Sequence, residues 1–313
     1  LLHRLIKRDR PDILHLHLPN PSAFWALALP SARRLPWVIH WQSDVRTQRS
    51  NWLLKLAYRI YSPFESALLK RADKVIVSSP PYLATSEPLA KVSNKCAVIP
   101  LGIDDRFGDQ TRNGSAVVPP SASKASAETA GNLNVLAIGR MTHYKGFDIL
   151  LRAIAQTEGI TLDLIGHGEL TQSLERLKDF LNLSARVRFH GLLDDNAKDK
   201  LLSRCDCLCL PSTDRTEAFG VVLLEAMSAG KACVVSHVEG SGMSWLVENG
   251  KTGLGAPAND INSLAKALCR LRDDPDLVIR LGLEGRQKFS TALTIEASAE
   301  AIRDLYHQLP STR

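Results

Sequence analysis

Two short stretches of this 313-residue chain bring together residue types able to hold a phosphate group and a polyol. The first is Ile138-Gly139-Arg140-Met141-Thr142-His143-Tyr144-Lys145-Gly146. It starts where an apolar run ends and leads into an amphipathic stretch from Phe147. Gly139 and Gly146 let the backbone turn sharply. Arg140 and Lys145 then place two cations beside a helix amino terminus, whose free amides add positive potential, and that combination suits a diphosphate. Taken alone, the same residues also fit a solvated basic loop. The second stretch runs from Asp214 to Ala226 and holds Glu217 and Glu225, eight residues apart. A helix opened by Phe219-Gly220 has free first amides that suit an anion or hydroxyl oxygens. A carboxylate before it and one inside it accept hydrogen bonds from hydroxyls. Without further context, Glu217 equally fits a helix cap and Glu225 a surface position.

Positioning such groups requires strands that end near each other, and the pattern along the chain supplies them. Short apolar runs alternate with amphipathic stretches, which is how a parallel sheet with crossover helices is written. Strands are expected at residues 12–17, 37–41, 74–78, 97–100, 134–138, 161–165, 186–189, 206–210 and 232–236. Helices are expected at 22–29, 52–71, 81–89, 147–155, 170–181, 195–202, 219–228, 261–272, 276–289 and 295–309. Between Asp105 and Gly131 periodicity stops, and Val117-Val118-Pro119-Pro120 precedes a run of small polar residues. That is a linker or surface insertion. The fold class is α/β, with two doubly wound Rossmann-like domains. The domain bounds are 1–104, a linker at 105–132, a second domain at 133–290, and a last helical segment at 291–313 returning to the first domain. In sheets of this kind ligands sit beyond the carboxyl ends of the strands.

Composition narrows the function classes. Apolar residues make up 44% and charged residues 23%, the balance of a globular protein. A net charge of +6 without long blocks of like charge suits anionic ligands or an anionic membrane surface, and does not amount to a nucleic-acid signature. Cys205, Cys207 and Cys209 alternate, which puts all three on one strand face and is not a zinc-knuckle spacing. Buried free thiols fit best, and they point to a reducing, cytoplasmic setting. No run of 18 apolar residues predicts a membrane-spanning helix. The chain starts at Leu1, inside a helical pattern, so the first domain is expected to lack its beginning. Residues 52–71 mix Trp52, Tyr58, Tyr61 and Phe64 with Lys55, Arg59, Lys70 and Arg71. The expected role is a core-packing helix with snorkelling cations. The alternative is docking on an anionic membrane.

The order and setting of the two charged stretches resemble the retaining family-4 glycosyltransferases of the GT-B fold. Several further segments are similar. Ile165-Gly166-His167-Gly168-Glu169 resembles the Gly-x-Gly turn, and Val187 to Leu192 the segment facing the nucleotide base. Asn249 to Leu254 resembles a glycine-rich hairpin, and Val98 to Asp104 a domain-closing segment. The resemblance implies a hexosyltransferase with a nucleotide-diphosphate sugar donor and a glycan or lipid-linked acceptor, working at cell-surface polysaccharide or lipopolysaccharide synthesis. It would lie in the cytoplasm or at the inner face of the membrane. No cofactor and no metal is implied. Asp274-Pro275-Asp276 is read as a helix-capping turn. Arg140 and Lys145 would neutralise the diphosphate. Glu225 would bind the ribose, and Glu217 with the Phe219 and Gly220 amides would hold the sugar. Gly139 would let the backbone approach, and Leu192 would meet the base. Three departures stand out. The Gly-rich loop that opens such proteins is not found before Asp12. Gln42, in Trp41-Gln42-Ser43-Asp44, falls where the family often has a histidine, so His40, Gln42 and Asp44 are the cleft candidates. Trp245 replaces the usual acidic residue in Gly240-Ser241-Gly242-Met243-Ser244-Trp245. An inactive nucleotide-sugar-binding protein and a GT-B epimerase remain the alternatives.

Overall fold

The computed structural model describes residues 1–45, 52–108 and 131–310. The chain divides into two compact units, Leu1–Pro100 with Ser298–Arg313, and Leu101–Ala297. Residues 109–130, most of the expected linker, lie outside the described residues.

The first unit is built on a parallel sheet of β1 (Leu14–Leu18), β2 (Trp37–Trp41), β3 (Lys74–Val77) and β4 (Cys96–Val98), in that order. Every residue of β2 is buried, which is why it is written as the near-continuous apolar run of a strand covered on both faces. Val38 and Ile76 pack with Ile99 and with Leu305 of the Ile295–His307 helix. The expected helix over 22–29 is instead a 3-10 turn at Pro21–Phe24 followed by Trp25–Ala28. Pro30 pushes Leu29 into extended geometry and ends it. The helix expected at 81–89 is likewise split into Pro80–Thr85 and Glu87–Ala90, with extended Ser86 between.

The Trp52–Arg71 helix corrects the packing expectation. Only Glu65, Leu68 and Leu69, near its end, are buried. Trp52, Leu53, Leu54, Leu56, Ile60 and Phe64 are exposed, Trp52 by 69% and Ile60 by 65%.

The second unit carries a six-stranded parallel sheet in the order β10-β9-β8-β5-β6-β7. The strands are β5 (Leu133–Ile138), β6 (Ile160–Ile165), β7 (Val187–Gly191), β8 (Cys207–Leu210), β9 (Ala232–His237) and β10 (Leu254–Pro257). β10 was not expected; its short Leu-Gly-Ala-Pro sequence follows directly on the glycine-rich hairpin. Alternation sorts the two faces. Val135, Ala137, Cys207 and Cys209 pack with the Phe147–Ala155 and Ile261–Asp273 helices. Leu136, Leu208 and Leu210 pack with the Val221–Ser228 helix and Phe289. Cys205 precedes β8 and falls in this second cluster, so the three alternating cysteines do not share one face.

The first unit ends at Pro100 rather than at residue 104, because Ile103 is tied to the second unit. Its N–H donates to the Leu293 carbonyl at 3.2 Å and its carbonyl accepts from Ile295 at 2.9 Å. Gly102 runs so close to Thr294 that a Cβ would collide with that residue's carbonyl oxygen. Arg286 holds both carboxylate oxygens of Asp105 at 2.6 Å. Among the described residues no helix is long and apolar enough to cross a membrane.

Glu65 is the odd residue of the first core. It is 2% exposed, accepts from the Tyr58 hydroxyl at 3.1 Å, and its other oxygen is buried with no hydrogen-bond partner. Burial pushes its carboxyl pKa up to about 7, although the Tyr58 bond pulls the other way. The unfolded chain therefore ionises first as pH rises. The stability present below the unfolded pKa is lost progressively up to about pH 7. Glu65→Gln should raise the urea midpoint at pH 8, and the gap to the parent should close as pH falls toward 4.5. Parallel midpoints across that range would contradict the assignment.

Candidate active site

Strand order reverses between β5 and β8: the chain leaves β5 toward β6 and leaves β8 toward β9. Loops leaving the carboxyl ends of these two neighbours diverge and open a crevice, the usual ligand position in an open α/β sheet. The Gly139–Gly146 loop leaves β5, and the 211–220 segment leaves β8.

The two loops are stitched together at the crevice. The Thr213 N–H donates to the Tyr144 carbonyl at 2.7 Å. Lys145 Nζ donates to Glu217 Oε2 at 2.5 Å, with only 10% and 12% of the two side chains exposed. Ser212 Oγ donates to the same carboxylate oxygen at 3.2 Å. Lys145 passes close over Gly139 on its way there: a Cβ at 139 would sit 3.0 Å from Lys145 Cε. Burial and the nearby Glu217 charge raise the Tyr144 phenol pKa.

Arg140 is separated from Lys145. Its side chain is 74% exposed and reaches Glu169 at 3.4 Å. The two cations thus differ in kind, one buried against Glu217 and one largely exposed beside Glu169. Gly166 and Gly168 support this loop from below. A Cβ at either would collide with the carbonyl oxygen of Gly139 or Met141.

Phe219 and Gly220 do not form the first turn of the following helix. That helix runs Val221–Ser228, with Gly220 as its N-cap in the left-handed region and no side chain capping its amides. The Phe219 side chain is core, 3% exposed and against Trp245. Trp245 also lies under the Lys288 ammonium, which explains an aromatic residue at this position. The same segment steadies Glu217: Ser241 Oγ donates to the Glu217 carbonyl at 2.5 Å, and the Gly242 N–H to Ala218 at 2.8 Å.

Glu225 is not a bare surface carboxylate. Lys198 donates to its Oε1 at 2.8 Å and Arg106 at 3.3 Å, while Arg106 also holds Asp199 at 3.0 Å. Burial alone would lower the Lys198 pKa, but the Glu225 hydrogen bond and charge, together with the Asp195 hydrogen bond, outweigh it and the pKa is raised. Lys198 and Arg106 were missed by sequence reasoning, since one is among several helix lysines and the other sits in the expected linker. Leu192 is 80% exposed just past β7. Asp274 caps the Pro275–Ala292 helix by accepting from Leu277 N at 2.9 Å, as a turn residue would.

In the first unit, His40 is 8% exposed on β2. Burial, aided by the His17 charge, lowers its pKa to about 4, so it is neutral near pH 7. Gln42 is exposed just beyond β2, its Nε2 3.4 Å from His17 Nδ1. Asp44 is a structural knot: its carboxylate accepts from Trp41 Nε1 at 2.9 Å and Ser86 Oγ at 2.6 Å. Residues 46–51, which follow it, lie outside the described residues.

Residues 120–288 match the family model described as Glycosyl transferases group 1, and residues 1–107 match Glycosyltransferase Family 4. The O-antigen chain mannosyltransferase C of Escherichia coli is 30% identical over 304 residues, covering 96% of this chain and 76% of that protein. The chain belongs to the group 1 glycosyl transferases. The D-rhamnosyltransferase WbpZ of Pseudomonas aeruginosa is also 30% identical, over 90% of this chain and 70% of its own length. Among solved structures, the Anabaena protein HepE in complex with UDP superposes with a TM-score of 0.77 at 22% identity, covering 98% of this chain and 82% of that one. The sucrose-phosphate synthase from Thermosynechococcus elongatus gives 0.77 at 25% identity, over 98% and 76%. The two parallel-sheet units are those of GT-B glycosyltransferases.

In this glycosyltransferase the turn at Gly146 carries the Lys145 position. Gly146 has φ +65°, and a Cβ there would collide with the Pro211 carbonyl oxygen. Gly250, at φ +79°, has open space around it and serves as a control for backbone strain alone. Gly146→Ala should cost on the order of 1–3 kcal/mol by denaturant unfolding, and clearly more than Gly250→Ala. Equal losses would mean the loops are not locked at Pro211.

Proposed function

We propose that this chain transfers a hexose, with retention of anomeric configuration and without a metal ion, from a nucleotide-diphosphate sugar to a glycan or lipid-linked acceptor. The observation that carries this reading is the gathering of Lys145, Glu217 and the uncapped Val221–Ser228 helix start at the β5/β8 reversal. Cleavage at the anomeric carbon leaves an oxocarbenium-like sugar and a diphosphate whose charge must be stabilised as it develops. Lys145, held against Glu217, and Arg140, at the exposed rim, supply that stabilisation as cations, Gly139 allowing close approach. Glu217 then accepts from the sugar hydroxyls, beside the Phe219 and Gly220 amides. Glu225 accepts from the ribose hydroxyls, and the backbone near Leu192 meets the base. Asp274 being engaged as a helix cap supports a reaction in which cationic side chains take the place of a metal.

The relative named as an O-antigen chain mannosyltransferase supports an acceptor in cell-surface polysaccharide. Lys145→Ala should lower the transfer rate by about 100-fold or more, as for loss of one transition-state charge partner. Glu225→Ala should weaken nucleotide binding with a smaller effect on the maximal rate, and a chelator should leave transfer unchanged. Parent-like kinetics in both variants would sink the assignment. Donor binding without turnover would instead favour a nucleotide-sugar-binding protein, and release of a free epimer would favour an epimerase.

The apolar row on the Trp52–Arg71 helix supports work at the inner face of a membrane. Trp52, Leu56, Ile60 and Phe64 recur every four residues, and exposed Lys55 and Arg59 flank them. That is the pattern of a helix lying in an anionic interface. Sedimentation with phosphatidylglycerol vesicles should capture the protein, and phosphatidylcholine vesicles should capture less. Leu56→Ser with Ile60→Ser should reduce capture several-fold; unchanged capture by that variant would remove the membrane from the proposal.

A further inference from the structure

Outside the crevice, one cluster of side chains in the first unit has ligand chemistry that transfer does not use. His15 and His17 project from the same face of β1, two residues apart, and His17 lies opposite His40 on β2 in the parallel register. The three imidazoles form a compact triangle. Ring centroids are 4.9 Å apart for His15 and His17, 5.1 Å for His17 and His40, and 5.7 Å for His15 and His40. One ring nitrogen from each lies within 4.8 Å of the others. No other group of three or more potential ligands gathers in this way among the described residues.

Two further observations give the cluster a direction. The Tyr306 hydroxyl sits 2.5 Å from His15 Nδ1, while His15 Nε2 is buried with no hydrogen-bond partner. A buried ring nitrogen without a partner costs free energy unless something accepts its lone pair or its proton. The Gln42 amide approaches His17 Nδ1 at 3.4 Å. At His15 the Tyr306 hydroxyl can accept the Nδ1 proton, which leaves the buried Nε2 unprotonated for another ligand. At His17 the Gln42 amide N–H donates to Nδ1 and keeps Nε2 protonated, so ligation through Nε2 requires that amide to turn and present its oxygen. Outer partners of this kind fix the ring and tautomer of a metal-bound histidine.

We propose that His15, His17 and His40 bind a divalent transition-metal ion, with Zn²⁺ the expected occupant, through three neutral imidazoles. Such a donor set, with no carboxylate or thiolate, selects zinc and its neighbours over magnesium or calcium. Zinc holds imidazole nitrogens at about 2.0–2.1 Å, so the rings must rotate inward from their stacked arrangement. His17 is exposed, and with His15 it lines a cleft of about 650 Å³, which gives an ion access. The ion would bridge β1 to β2 and, through Tyr306, fasten the Ile295–His307 helix to the sheet. The transfer chemistry proposed above does not use this ion.

The test uses purified, tag-free protein with zinc chloride in a calorimeter, and cobalt(II) as a spectroscopic probe. The parent should bind one zinc per chain at micromolar or tighter affinity. With cobalt it should give the visible absorption of a low-coordinate nitrogen site. His17→Ala removes an exposed ligand from a chain whose fold circular dichroism can check. It should lose at least about 10-fold in affinity together with the cobalt bands. Tyr306→Phe should weaken binding by about 10-fold, the size expected for losing an outer partner, and His143→Ala in the second unit should bind as the parent does. Sub-stoichiometric binding by the parent, or parent-like zinc affinity in His17→Ala, would overturn the site.

Discussion

The Lys145–Glu217 ion pair organises the second unit. Two adjacent parallel strands hand their chains to opposite sides of the sheet, so their loops part and leave backbone and charge at the divide. Lys145 and Glu217 join the loops by side chains, and the Thr213 amide joins them by backbone at the Tyr144 carbonyl, which also accepts from Thr213 Oγ1. A pair so withdrawn from water seldom adds stability over apolar packing, yet removing one partner strands the other at a cost of about 3–5 kcal/mol. Glycine at 139 gives the lysine its room, and glycine at 146 lets the turn pass beneath the Pro211 carbonyl. The Gly166 and Gly168 backbones hold the loop from the other side.

Charge compensation recurs at each acidic group nearby. Glu217 has Lys145 and Ser212, and Glu225 has Lys198 and Arg106. Each arrangement meets the cost of keeping a carboxylate away from bulk water by local donors. Arg140 is the exception, loosely matched to Glu169 and largely in solvent. Under the proposed roles, an arriving diphosphate exchanges partners at Lys145 and displaces water at Arg140.

Much of this was legible in the sequence, because strand alternation and glycine placement are local rules. The helices at Trp52–Arg71 and Phe147–Ala155 stand at the bounds their patterns give. The charged stretches after β5 and β8 fall where their neighbours require. What escaped was tertiary. Nothing local distinguishes Lys198 from other helix lysines, and Arg106 sits where periodicity fades. Trp245 acquires its meaning only beside Phe219 and Lys288. The exposed face of the Trp52–Arg71 helix was misjudged because amphipathic composition states how apolar a stripe is and not what covers it. The helix expected at 22–29 does stop just before Pro30, and what differs is its first turn, which is a 3-10 turn opened by Pro21.

The thiols carry a different consequence. Cys207 and Cys209 are sealed on one face of the second sheet, and Cys205 and Cys233 on the other. All four are buried, and burial raises their thiol pKa values, so neither contact with a reagent nor thiolate chemistry is available while the sheet is closed. Cys96 and Cys269 are only partly covered. The molecule thus contains its own two-channel record of opening. Slow alkylation at the four sealed sulfurs counts excursions of the second sheet from its folded state, against a background from the two accessible ones.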